Sequence, residues 1–159
     1  MNRFRSVALI AFMALAVVSG PAISGECGKK ESRVAVAYLG NDAERDREWG
    51  FVYGKYSVRN DTTNTILFPA YKSSADPAVL HPSAATVEKQ SGNGWRDAVS
   101  IIEHVNPADG VVEIPAGEER VVLALGAQRE TGPYRLKLVT RAGCWVKSQP
   151  FSFAPIQGI

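Results

Sequence analysis

Val111-Val-Glu-Ile114, Pro115-Ala-Gly-Glu118, Arg120-Val-Val-Leu-Ala-Leu125 and, after a polar break, Gly132-Pro-Tyr-Arg-Leu-Lys-Leu-Val-Thr140 form one continuous stretch that decides the fold class. Two runs rich in β-branched residues flank a gap containing Gly126, Gly132 and Pro133, which is the pattern of strand, loop and strand. From Tyr134 the residues alternate. Tyr134, Leu136 and Leu138 fall on one face, and Arg135 and Lys137 on the other. A period of two with one apolar face describes a strand with a core on one side and water on the other. Arg120–Leu125 is more continuously apolar, as expected where both faces are partly covered. Pro115 lacks a ladder donor and marks a kink or an edge.

Outward from that stretch the punctuation repeats. Upstream, Arg33–Leu39 reads as a strand, and Trp49–Tyr53 with Tyr56–Val58 as a second, with Gly54 predicting a bulge between them. Asp42–Glu48 is charged without apolar spacing and reads as a solvated connection. Asn60–Asn64 is a turn cluster that also spells a glycosylation pattern, Asn60-Asp61-Thr62, which turn chemistry alone explains. Thr65–Phe68 is a third strand stopped by Pro69, and Lys72–Ser83 a loop. Ala85–Gln90 and Trp95–Ile102 form a hairpin about Ser91–Gly94. Glu103–Gly110 is a further loop; Cys144–Ser148, Phe151 and Phe153 close the domain. No helix of three turns, repeat or low-complexity linker is present. These readings predict an all-β chain, a single antiparallel β-sandwich of seven or eight strands, immunoglobulin-like in kind.

The chain's 159 residues suffice for one domain with a core. Its first residues carry Arg3 and Arg5, then an uncharged run to Gly20 and small residues at Ala22 and Ser24, the pattern of a secretory signal peptide. The expected organisation is a signal over residues 1–24 and one domain over 25–159, with a periplasmic or secreted address. Glu26 stands where a lipoprotein signal needs a small residue before Cys27. Loss of 1–24 removes two arginines and no acid, so the formal charge of +2 falls to zero over the remaining 135 residues. A balanced charge offers no footprint for nucleic acid or an anionic membrane. No membrane insertion is expected once the signal is gone, and both methionines leave with it. Cys27 and Cys144 survive, and an even count in an exported chain predicts one disulfide across 117 positions. The chain-entropy argument assigns such a loop about 4–5 kcal/mol.

The order Tyr56-Ser-Val-Arg-Asn60, Gly94-Trp95, Pro115-Ala-Gly-Glu118, Gly132-Pro-Tyr134, Trp145 and Phe151 resembles bacterial exported modules of the immunoglobulin-like or fibronectin-III-like type over residues 33–153. It resembles less closely the bacterial intracellular proteinase-inhibitor family, from which the signal peptide and cysteines depart. The resemblance implies a β-sandwich, and Tyr134 after Gly132-Pro133 is similar to the structural tyrosine corner of such domains.

No Gly-x-Ser-x-Gly elbow, Cys-x-x-Cys, His-Glu-x-x-His or phosphate loop occurs, and the acids are scattered. The expectation is therefore a non-catalytic module without a cofactor, binding a protein or cell-envelope partner. The alternatives are an inhibitor of secreted proteinases, for which Ser73–Ser83 is the one long candidate loop, and an enzyme with no identifiable residues. Trp49, Phe51 and Tyr53, spaced to share a face, are read as core rather than as a sugar platform. Counting reversals in an antiparallel sandwich brings Lys72–Ser83 and Glu103–Gly110 to one pole, with Asp76, His81, His104 and Asp109 as candidate interaction residues and Asp42–Glu48 nearby. Their spacing fixes no metal-ligand set, so no metal is assigned.

Overall fold

A computed structural model describes residues 32–42, 52–72, 76–98, 105–126 and 132–153. Among them the chain is all-β, with ten strands and no helix. In order these are β1 (Val34–Asn41), β2 (Tyr53–Asn60), β3 (Ile66–Ala70), β4 (Ala78–Val79), β5 (Ala85–Ser91), β6 (Gly94–Asp97), β7 (Gly110–Ile114), β8 (Glu119–Leu125), β9 (Tyr134–Val139) and β10 (Trp145–Lys147). They form three sheets: β1-β2-β8-β4, β10-β9-β5-β6 and β3-β7.

The alternation of β9 becomes its burial pattern. Tyr134, Leu136 and Leu138 are buried, while Arg135, Lys137 and Val139 are half-buried on the other face. On β8 three consecutive residues, Val122, Leu123 and Ala124, are fully buried, so both faces of the strand are covered there. The inward side chains of all three sheets meet in one cluster: Tyr56, Val58 and Val122 from the first, Val87, Leu136 and Leu138 from the second, and Phe68, Val112 and Ile114 from the third.

Two turns show why particular glycines stand where they do. Ser91 pairs with Gly94, leaving Gly92 and Asn93 as a two-residue hairpin turn, and Gly92 has φ +57°. In Pro115–Glu118 the Glu118 N–H donates to the Pro115 carbonyl at 3.1 Å and Gly117 takes φ +77°, the left-handed value a type II turn needs at its third residue. That turn carries the chain from β7 in one sheet to β8 in another.

Several expectations require correction. Among the described residues the strands number ten rather than seven or eight, and β4 runs parallel to β8 rather than antiparallel. Pro69 does not stop β3 but lies within it, opposite Val111, and its carbonyl accepts the His81 N–H at 3.0 Å. Among the described residues β7 is the one strand paired with β3, and the other edge of β3 meets the short 79–81 segment through an isolated bridge at Ala70 and Leu80, so a missing donor at Pro69 interrupts no continuous second ladder. The bulge falls in β1, where the register shifts between Tyr38 and Gly40, and not at Gly54, which pairs regularly with Asn41 and Ala124. Gly54 has a different reason to be glycine: a Cβ there would stand 2.5 Å from the Tyr56 hydroxyl. Asp42, placed in a solvated connection, is buried, and its N–H donates to the Tyr53 carbonyl at 2.7 Å. Trp49 and Phe51 lie outside the described residues; Tyr53 is half-buried.

Candidate interaction surface

The segment between β3 and β5 is not one free loop. Asp76 and Pro77, joined by a cis peptide bond, lead through β4 into Leu80. Val79 and Leu80 are buried, and the Leu80 N–H donates to the Leu123 carbonyl at 2.8 Å. This pins the second half of the segment to β8 and sets His81 at a defined place. Ala84 and Ala85 both donate their N–H groups to the His81 carbonyl, at 2.8 and 3.1 Å.

The His81 ring ties two segments together. Its Nδ1 lies 2.7 Å from Ser83 Oγ and 3.1 Å from the Ser83 backbone nitrogen. The Ser83 N–H can only donate, so Nδ1 is an acceptor and the proton of the neutral ring sits on Nε2. Nε2 then donates to the Asn106 carbonyl at 2.9 Å. Both ring nitrogens are thus engaged in holding the backbone. The contact with Ser83 spans two residues and is shared with that residue's own N–H, the geometry of a turn.

A second tie lies close by. The Lys72 N–H donates to Asp109 Oδ1 at 2.7 Å. Tyr71 packs edge-on against the His81 ring, with centroids 5.2 Å apart. Burial, then the neighbouring Tyr53 and Asp109, raise the Tyr71 phenol above its ordinary range, which puts the start of β2 beside this cluster too. Residues 71–72, 76–83 and 105–110 therefore form one surface, presenting the exposed side chains of Lys72, Ser83, Asn106, Pro107 and Asp109. The Ser91–Gly94 turn lies at the far end of β5 from Ala85, about 20 Å away at the rise of a strand.

Of the residues singled out from sequence, His81 and Asp109 belong to this surface, each bonded to the other loop's backbone. Asp76 is exposed and joined to neither by a hydrogen bond among the described residues. His104 and Cys27 lie outside those residues. Cys144 precedes β10, its N–H donating to Thr140 Oγ1 at 3.1 Å, and no cysteine among the described residues is free. Tyr134 is buried: its backbone exchanges two hydrogen bonds with Phe151, and its ring packs edge-on against Phe153 at 4.9 Å. Tyr71, Lys72 and Asn106 were not singled out. Asn106 acts through its carbonyl, to which its side chain gives no clue, although Asn106-Pro107 does signal a turn. No group of three or more His, Cys, Asp or Glu that could hold a metal exists among the described residues, and no helix there is long and apolar enough to cross a membrane.

No protein-family model matches the chain, and no characterised protein matches its sequence.

Proposed function

We propose that this chain is an exported, non-catalytic binding module with an immunoglobulin-like sandwich scaffold, which docks a protein or cell-envelope partner through the surface built by residues 71–72, 76–83 and 105–110. The observation that carries this reading is the cross-tying of the two segments. His81 holds the Asn106 carbonyl and Asp109 holds the Lys72 N–H, so the surface is ordered before any partner arrives. Preorganisation spares a binding loop the ordering entropy it would otherwise lose on contact. Within this reading residues 1–24 are a cleaved signal and Cys27 pairs with Cys144. A mature N-terminus near Gly25 and a Cys27–Cys144 cross-linked peptide under non-reducing conditions are the expected results. A mature species retaining Met1, or two labelled thiols, would refute them.

The inhibitor reading has less support, because residues 78–80 of its candidate loop are held against β8 instead of being presented. The docking proposal is tested by Lys72→Glu combined with Asn106→Arg. Only the backbone of each enters the two ties, so the fold should keep its melting temperature while capture of the native partner is lost. The same charge change at Asn93 should leave capture intact. Unchanged capture by the double variant would defeat the proposal.

A further inference from the structure

The outer face of the β10-β9-β5-β6 sheet carries a second, independent arrangement. The strand registers place its side chains in four rows. Trp95 stands opposite Gln90 in the first row. Arg135, Glu88 and Asp97 share the second, Lys147, Lys137 and Thr86 the third, and Trp145 and Val139 the fourth. Arg135 sits over the Trp95 ring at 4.2 Å and Lys147 over the Trp145 ring at 5.4 Å. Both cations reach the same carboxylate oxygen of Glu88, Arg135 Nε at 2.5 Å and Lys147 Nζ at 3.3 Å. Lys137 stands directly opposite Lys147 and has no ion pair among the described residues. Like charges facing each other across two strands repel. Glu88, shared between Arg135 and Lys147, leaves the charge of Lys137 uncompensated.

We propose that this face binds a linear acidic polysaccharide, its sugar rings lying along the partly exposed tryptophans and a carboxylate or sulfate seated between Lys137 and Lys147. The two tryptophans lie on the outermost strands, three strand spacings and about six residues apart, or about 25 Å on the diagonal. A ligand touching both is a polymer and not a single sugar. The charge density argues for a polysaccharide over a nucleic acid. Three cations face two carboxylates, and Asp97 stands on the row that holds Arg135, which disfavours a chain with a phosphate on every residue. Tryptophan supplies flat apolar area that a sugar's C–H face covers, while the lysines supply the selectivity for anionic chains.

Biolayer interferometry of the folded protein on immobilised hyaluronate and unsulfated chondroitin, chains with a carboxylate on every second sugar, tests this, with dextran, polyglutamate and single-stranded DNA alongside. Binding to at least one acidic polysaccharide, weakened by salt and absent on dextran, is expected. Lys137→Gln, at a half-exposed position, should melt with the parent and lower affinity at least fivefold, and Trp145→Ala should lower it further. No binding to either acidic polysaccharide would overturn the proposal. So would equal binding to dextran, stronger binding to polyglutamate or DNA, or a Lys137→Gln variant that binds as the parent does.

Discussion

Replacing Asn60 by alanine removes the most heavily used polar side chain in the core. Asn60 is fully buried at the end of β2. Its Nδ2 donates to the Ile114 and Asn64 carbonyls, each at 2.8 Å. Its Oδ1 accepts the Thr62 N–H at 3.0 Å and the Thr62 hydroxyl at 2.6 Å. These four bonds lock the 60–64 turn and join the first sheet to β7. At about 1 kcal/mol net for each, with the one Thr62 hydroxyl proton shared with the Asn64 carbonyl at 2.8 Å, the loss is about 3–4 kcal/mol, a large share of the 5–15 kcal/mol typical of a domain. Differential scanning calorimetry should show a fall of about 10 °C or more. Asn60→Asp sharpens the test. It keeps the acceptor for Thr62 but sets a carboxylate against two carbonyls, so its folded-state pKa must rise above the ordinary value of about 3.9. With the native state binding the extra proton, the aspartate variant should lose stability as pH rises from about 4 through its raised pKa. At pH 7 it should be less stable than the alanine variant. An alanine variant melting within 2–3 °C of the parent, taken as about the smallest meaningful shift, would refute the reasoning. The same saturation of Nδ2 predicts that the Asn60-Asp61-Thr62 pattern carries no glycan in folded protein.

Other outcomes follow from single groups. Burial pushes the Glu88 carboxyl up, but the hydrogen bond from Arg135 and the charges of Lys147 and Arg135 outweigh it and hold the pKa below its usual 4.5. The linked stability is present above that value and is lost as pH falls through the lower folded-state pKa, so Glu88→Gln should flatten the acid limb of the stability profile; a limb that persists unchanged would argue against it. Tyr56 Oη is buried without a hydrogen-bond partner among the described residues, and burial followed by the nearby Tyr38 raises its pKa well above the ordinary value. Tyr56→Phe should therefore be neutral or stabilising by up to about 2 kcal/mol in urea unfolding, and a clear loss would reveal a partner. Tyr134→Phe distinguishes a corner tyrosine from a core one: a hydrogen-bonded corner predicts a loss of about 1–3 kcal/mol, and equal stability would leave only packing.

The parts of the fold legible in the sequence are those where side-chain period and burial coincide. Tyr134, Leu136 and Leu138 announce β9 because that sheet has one wet face, and Gly92-Asn93 announces the hairpin because few residues tolerate its backbone. The misreadings share a cause. Pro69 looks like a stop because its missing N–H matters in a central strand, whereas β3 pairs with one strand among the described residues and has an isolated bridge on its other edge. Gly54 looks like a bulge, but glycine there makes room for the Tyr56 ring, a contact invisible in one dimension. β4 has two residues and no period to detect. At the candidate surface His81 and Asp109 were recognisable as polar loop residues. Their partners were not, because they are the main chain of Asn106 and Lys72, which any residue type supplies.

The proposed docking face is the one formed by residues 71–72, 76–83 and 105–110. Site-specific photocrosslinking in the native host tests it most directly, with the reactive side chain at position 106 and, as the comparison, at position 93 on the far turn. Both positions are exposed, so incorporation should leave the fold unchanged. One discrete, reproducible adduct is expected from position 106 and none from position 93. An adduct from position 93 alone, or none from position 106, would contradict it.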